Sequence, residues 1–167
     1  MRYVLTLILL YALGTTAAPA TSRNAHPHQK PKTIVDTHTT AFGNPGIAKN
    51  VTRVIDLDLR DTMRIVPDRL SLKLGETVRL RIKNSGVLPH ELVLGTKAEI
   101  IEHRDMMRAM PTMQDPEANA VSVSPGGTAE IIWRFGKPGS FLYACLIPGH
   151  WEAGMQGIVT VSAAPKP

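Results

Sequence analysis

The sequence predicts an all-β fold, a sandwich of about eight short strands interrupted by one helix. Three observations carry this. From Val51 onward apolar and polar residues alternate with a period of two. Turn signals rich in Gly and Pro separate the alternating runs at short, regular intervals. Only one stretch, after Thr96, repeats its apolar residues at helical steps.

Taken in order, Ile55, Leu57 and Leu59 alternate with Asp56 and Asp58, and Leu70, Leu72 and Leu74 alternate with Ser71 and Lys73. A turn at Gly75-Glu76 leads into Val78, Leu80 and Ile82, whose neighbours Arg79, Arg81 and Lys83 fall on the opposite, solvated face. Further strands are expected over 91–94, 120–123, 128–135, 140–144 and 157–161, punctuated by Pro125-Gly-Gly127 and Lys137-Pro-Gly139. Short strands with such turns close an antiparallel sandwich. Thr96-Lys-Ala-Glu99 has the form of a capping box. Ile100, His103, Met107 and Met110 then follow at steps of three and four, which predicts a helix from about Lys97 to Met110 whose methionine-rich face packs on the sheets. Met106, Met107, Met110 and Met113 are also soft donors suited to Cu(I), but core packing is the simpler account of their spacing.

The chain of 167 residues suffices for one core and is short for two domains. Arg2, the apolar run from Tyr3 to Leu13 and Ala18-Pro-Ala20 read as the charged, hydrophobic and cleavage regions of a signal peptide over 1–20. The run is short for a membrane span, so export with cleavage before Thr21 is expected; an uncleaved anchor is the alternative, and membrane association is expected only in that case. Residues 21–50 carry prolines, glycines and few large apolar side chains, and read as a flexible tail. Its His26, His28 and His38 are too sparse for a metal-binding tract. The folded domain is expected over 51–164. Net charge is +5, with the basic residues scattered, which argues against a nucleic-acid partner and leaves an acidic docking partner open.

An exported protein with a single cysteine cannot use it for an internal disulfide. That cysteine lies in Cys145-Leu-Ile-Pro-Gly-His150-Trp-Glu-Ala-Gly-Met155, which offers a thiolate, an imidazole and a thioether within eleven residues. Copper takes a trigonal set of two His and one Cys with a weak axial Met. His90, where one strand breaks at Gly86 and Pro89 and another begins, is the candidate for the second histidine. Each residue alone has an ordinary structural role open to it: a core histidine, a loop histidine, a core methionine, a buried thiol. Their joint presence at this spacing is what points to a metal.

These residues resemble the cupredoxins, the type 1 (blue) copper proteins, over roughly 51–162. Four residues between Cys145 and His150 and four between His150 and Met155 match rusticyanin. Pro89 before His90, and the stretch from Met63 to Val78, look like plastocyanin and pseudoazurin. As a whole the chain is most similar to periplasmic cupredoxins associated with copper tolerance and respiratory chains. The resemblance implies a Greek-key cupredoxin barrel, one copper held by His90, Cys145 and His150 in equatorial roles with Met155 axial, and one-electron cycling between Cu(I) and Cu(II). No second dense histidine cluster is present to support an oxidase or nitrite reductase, so no enzymatic activity is expected.

Two features depart from better-known members. Glu91 stands where plastocyanin and azurin place an asparagine that braces the cysteine loop, and an ionised carboxylate accepts hydrogen bonds without donating them. Trp151 follows His150, and either joins Val87, Leu88, Pro89, Pro148 and Ala153 in an apolar docking patch or packs inward. The first functional expectation is a periplasmic electron carrier serving a redox protein such as a c-type cytochrome or terminal oxidase. The second is a copper-binding protein for copper tolerance.

Overall fold

The structure, a computed structural model, describes residues 40–110 and 117–163. The expected signal peptide, the tail as far as residue 39 with its three histidines, and Met113 lie outside the described residues.

Ten strands form two five-stranded sheets. In chain order they are β1 (Gly43–Pro45), β2 (Arg53–Arg60), β3 (Arg64–Val66), β4 (Arg69–Lys73), β5 (Thr77–Asn84), β6 (His90–Gly95), β7 (Ala120–Val123), β8 (Thr128–Phe135), β9 (Gly139–Ala144) and β10 (Gln156–Ser162), with helix α1 (Lys97–Ala109) between β6 and β7. One sheet runs β1-β8-β5-β2-β3 and the other β4-β10-β9-β6-β7. All the alternating runs of the sequence are strands. The sandwich is mixed rather than purely antiparallel, because β2 pairs β5 and β4 pairs β10 in parallel. Parallel neighbours arise where the chain crosses from one sheet to the other before returning, a connection that local periodicity does not reveal.

The tail boundary at residue 50 needs correction. Phe42 is fully buried and stacks on Trp133 at a centroid distance of 5.1 Å, and β1 pairs with β8 from Gly43↔Phe135 to Pro45↔Trp133. The segment looked unstructured because Gly43 and Pro45 are turn formers. Here they occupy a sheet edge, where a proline need not donate to the ladder.

The core between the sheets is built from the inward halves of the strands, including Leu57, Leu59, Leu80, Ile82, Leu92, Leu94, Trp133, Tyr143 and Val159. Burying each of the leucine, isoleucine and valine side chains among them is worth about 1.5–3 kcal/mol. β6 differs from the other strands in being buried along its whole length. Its Leu92 and Leu94 face the main core, whereas Val93 faces a second cluster with Ile100, Ala144 and Leu146 beneath α1.

The helix begins with the expected capping box. The Thr96 hydroxyl accepts from the Glu99 amide at 3.2 Å, and the Glu99 carboxylate accepts from the Thr96 amide at 2.7 Å. Its methionine face packs less than expected: Ile100 and Met107 are buried, while Met106 and Met110 are exposed. Positions seven apart lie nearly in line on a helix, whereas Met106 and Met110 are turned about 60–120° away from that line.

Candidate metal centre

Strand alternation brings three of the four predicted residues to one end of the sandwich. Along β9, Phe141 and Tyr143 point into the main core, and Cys145, two residues on, continues that face. Along β10, Val159 and Val161 face the same core, as does Met155 at the start of the strand. His90 opens β6 on the face of Leu92 and Leu94. Cys145 and Met155 are fully buried and His90 nearly so. The β9–β10 ladder continues beyond the strands, with the Cys145 amide donating to the Met155 carbonyl at 3.0 Å, so these two residues sit side by side.

His150 comes from the loop that joins them. The His150 amide donates to the Ile147 carbonyl at 2.9 Å and the His150 carbonyl accepts from the Met155 amide at 3.0 Å, folding the imidazole back over the strand ends. Gly149 turns the chain with φ +94°, a conformation that side-chain-bearing residues rarely adopt.

The ligand atoms of His90, Cys145 and His150 lie within 4.8 Å of one another. The two imidazole Nδ1 atoms are 3.2 Å apart, and the Cys145 Sγ is 3.3 Å from the Nδ1 of His150. The outer nitrogen of His90, Nε2, is 3.1 Å from the Asp61 carboxylate. With its proton on Nε2 facing that carboxylate, His90 turns a bare Nδ1 toward His150 and Cys145. Two ring nitrogens and a sulfur converging on one point suit a cation of intermediate softness. Burial, followed by the neighbouring His90, holds His150 below the usual imidazole range, so its ring is available as a neutral donor. Burial also pushes the Cys145 thiol up to about 11, against the opposing pull of the Glu91 and Ile147 amides on its sulfur. A metal binding here therefore displaces the thiol proton.

Glu91 supplies a brace of this kind to the cysteine loop. The Leu146 amide donates to the Glu91 carboxylate at 2.8 Å, tying the residue after Cys145 to the residue after His90. Only acceptance is required, so a carboxylate serves. Burial raises the Glu91 pKa, with the Leu146 amide and the charge of His103 opposing. The turn before His90 is bracketed by Asn84, which is fully buried. Asn84 donates to the carbonyls of Leu88 and Val123 at 2.8 and 3.0 Å and accepts from the Gly86 amide at 2.9 Å. Trp151 packs on the cluster of Val93, Ile100, Ala144 and Leu146, which answers the question of its direction in favour of the inward one. Val87, Leu88, Pro89, Pro148 and Ala153 are exposed as expected, and His150 is half-buried.

Sequence reasoning missed Asp61. It sits between β2 and β3, and its carboxylate accepts from the amides of Val87 and Leu88 at 2.8 and 3.3 Å as well as meeting His90. No local pattern marks a side chain that acts on a histidine 29 residues away.

The fold and this donor set define a copper-binding cupredoxin. Residues 51–162 match the family described as copper binding proteins, plastocyanin/azurin family, and the chain belongs to it. The copper-resistant cuproprotein CopI of Rubrivivax gelatinosus is 43% identical over 155 residues, 93% of this chain and 94% of the relative. The copper-resistant cuproprotein CopI of Pseudomonas aeruginosa is 37% identical over 74% of this chain and 84% of its own length. Among solved structures, auracyanin B superposes with a TM-score of 0.57 over 74% of this chain and 96% of its own at 22% identity, a likeness of fold.

Proposed function

We propose that this protein serves copper tolerance, binding one copper through His90, Cys145 and His150 as strong ligands with Met155 as a weak axial one. The observation that carries the reading is the convergence of the three donor atoms within 4.8 Å at the buried end of the sandwich. The identity to copper-resistant cuproproteins across nearly the full chain supports tolerance over electron transport as its purpose. When bound, copper supplies a one-electron couple between Cu(I) and Cu(II). The chain's own contribution is to fix the donors. β6, β9 and β10 hold His90, Cys145 and Met155, the loop between β9 and β10 presents His150, and Glu91 and Asn84 brace the two segments that meet there. With four protein ligands no position is left for a substrate, so the role is binding and redox holding rather than catalysis. The N-terminal charged and apolar segment supports a periplasmic location.

The electron-carrier reading keeps one specific support. His150 is half-buried among exposed Val87, Leu88, Pro89, Pro148 and Ala153, an apolar surface that suits a redox protein partner such as a c-type cytochrome or terminal oxidase. Cells lacking the protein separate the two. Tolerance predicts growth that fails on added copper while respiration is normal, restored by the wild-type protein and not by Cys145→Ala. A respiratory defect with unchanged copper tolerance would favour the carrier.

A further inference from the structure

We propose that Asp61 is the positioning residue of His90, fixing its Nε2–H tautomer and, through its negative charge, weighting the site toward Cu(II). The inference rests on the reading of His90 as a copper ligand.

The geometry is that of a carboxylate–histidine–metal relay. His90 has its Nδ1 in the donor cluster and its Nε2 at 3.1 Å from the Asp61 Oδ1. The His90 ring is buried while Asp61 is half-buried at the surface, so the carboxylate closes the outer side of the imidazole. Asp61 is itself fixed. Its Oδ2 accepts from the Val87 amide at 2.8 Å and its Oδ1 from the Leu88 amide at 3.3 Å, donors in the turn that Asn84 brackets. The fit extends to Gly86, where an added Cβ would fall inside the Asp61 carboxylate. A residue held by two amides and a shaped turn, and aimed at the free nitrogen of a buried histidine, is built into the site rather than resting near it.

The consequence follows from charge. An anionic acceptor on Nε2–H makes the imidazole a stronger donor at Nδ1, and such outer partners typically contribute 10–100-fold in metal affinity. A stronger donor favours Cu(II) over Cu(I), so Asp61 lowers the reduction potential. Glu91 does not duplicate this role, since its carboxylate meets the Leu146 amide.

The test uses the full-length mature protein and the variants Asp61→Asn and Asp61→Ala. Nitrogen-15 spectra of the metal-free wild type at pH 8 should show His90 protonated at Nε2 and bare at Nδ1. Asp61→Ala should lose that single tautomer. Asp61→Asn keeps an acceptor oxygen and removes the charge. After loading with copper, both variants should show about a tenfold loss in preference for Cu(II) over Cu(I), read as a potential about 59 mV higher. A merely structural Asp61, anchoring the Val87 and Leu88 amides, would lower the thermal midpoint and leave tautomer and potential in place; that result would overturn the proposal, as would a wild-type His90 protonated at Nδ1. Wild-type protein that takes up no copper would overturn the copper-site reading and this proposal with it, whereas copper-loaded variants with the wild-type potential would overturn this proposal alone.

Discussion

The two sheets share a core but differ in what their outer faces do. The outer face of the β1-β8-β5-β2-β3 sheet is a charge ladder in water. Arg81 pairs with Asp56 through two hydrogen bonds of 2.7 and 2.8 Å, and Glu130 stands opposite Arg81 on β8. The β4-β10-β9-β6-β7 sheet is covered by α1 over β6 and β9; His90 opens β6, Cys145 directly follows β9 and Met155 directly precedes β10. Cys145 and Met155 are fully buried and His90 nearly so, and dryness is what a fixed, low-dielectric donor set requires. The exposed sheet closes the barrel and contributes stability, and it reaches the site at two points: the turn after β2 carries Asp61, and Asn84 at the end of β5 brackets the turn before His90.

This division predicts that stability and copper chemistry can be changed separately. The largest effect belongs to Trp133→Ala on β8. Trp133 is fully buried, and its loss should cost about 3–5 kcal/mol in denaturant unfolding, while the protein that remains folded keeps its copper band. A Trp133→Ala protein that is as stable as the wild type but colourless would erase the distinction between the sheets.

Next comes Cys145→Ala on the covered sheet. Copper-loaded wild type should show a strong visible thiolate-to-copper charge-transfer band, and the variant should lack it while unfolding at nearly the wild-type denaturant concentration. A band surviving in Cys145→Ala would remove the site from this position.

Met155→Leu should be milder. Leucine keeps the volume of a fully buried side chain, so the stability change should stay below about 1.5 kcal/mol. Losing a weak donor destabilises Cu(II) more than Cu(I), so copper and colour should persist while the potential rises in voltammetry. An unchanged potential would mean that Met155 does not face the metal.

The smallest effect is expected at Asp56→Asn. The Arg81–Asp56 pair is exposed and screened by solvent, so neither the thermal midpoint nor the copper spectrum should move measurably. A shift in the spectrum would show that the outer face of the exposed sheet is coupled to the metal centre.

What the sequence disclosed follows the range of its signals. Alternation is local, so the strands around Leu57, Leu72, Leu80 and Ile131 were legible, as was α1 from its capping box. β1 and β3, three residues each, are too short to alternate, and β1 is masked by Gly43 and Pro45. The parallel pairings of β2 with β5 and β4 with β10 depend on crossovers that no window of residues contains. At the site, the grouping of Cys145 with His150 was legible because one short segment carries both, and that of His90 because a donor was missing and a strand break marked its place; the axial role expected of Met155 is left to the voltammetry of Met155→Leu. Asp61 was hidden because its role exists only once β2 and the turn before β6 are brought together.

X-ray absorption at the copper edge of protein loaded with one equivalent of Cu(II) tests the central claim most directly. The account predicts one copper per chain with a first shell of two imidazole nitrogens and one sulfur, and loss of the sulfur in Cys145→Ala. A first shell of nitrogen and oxygen alone in the wild-type protein would contradict it.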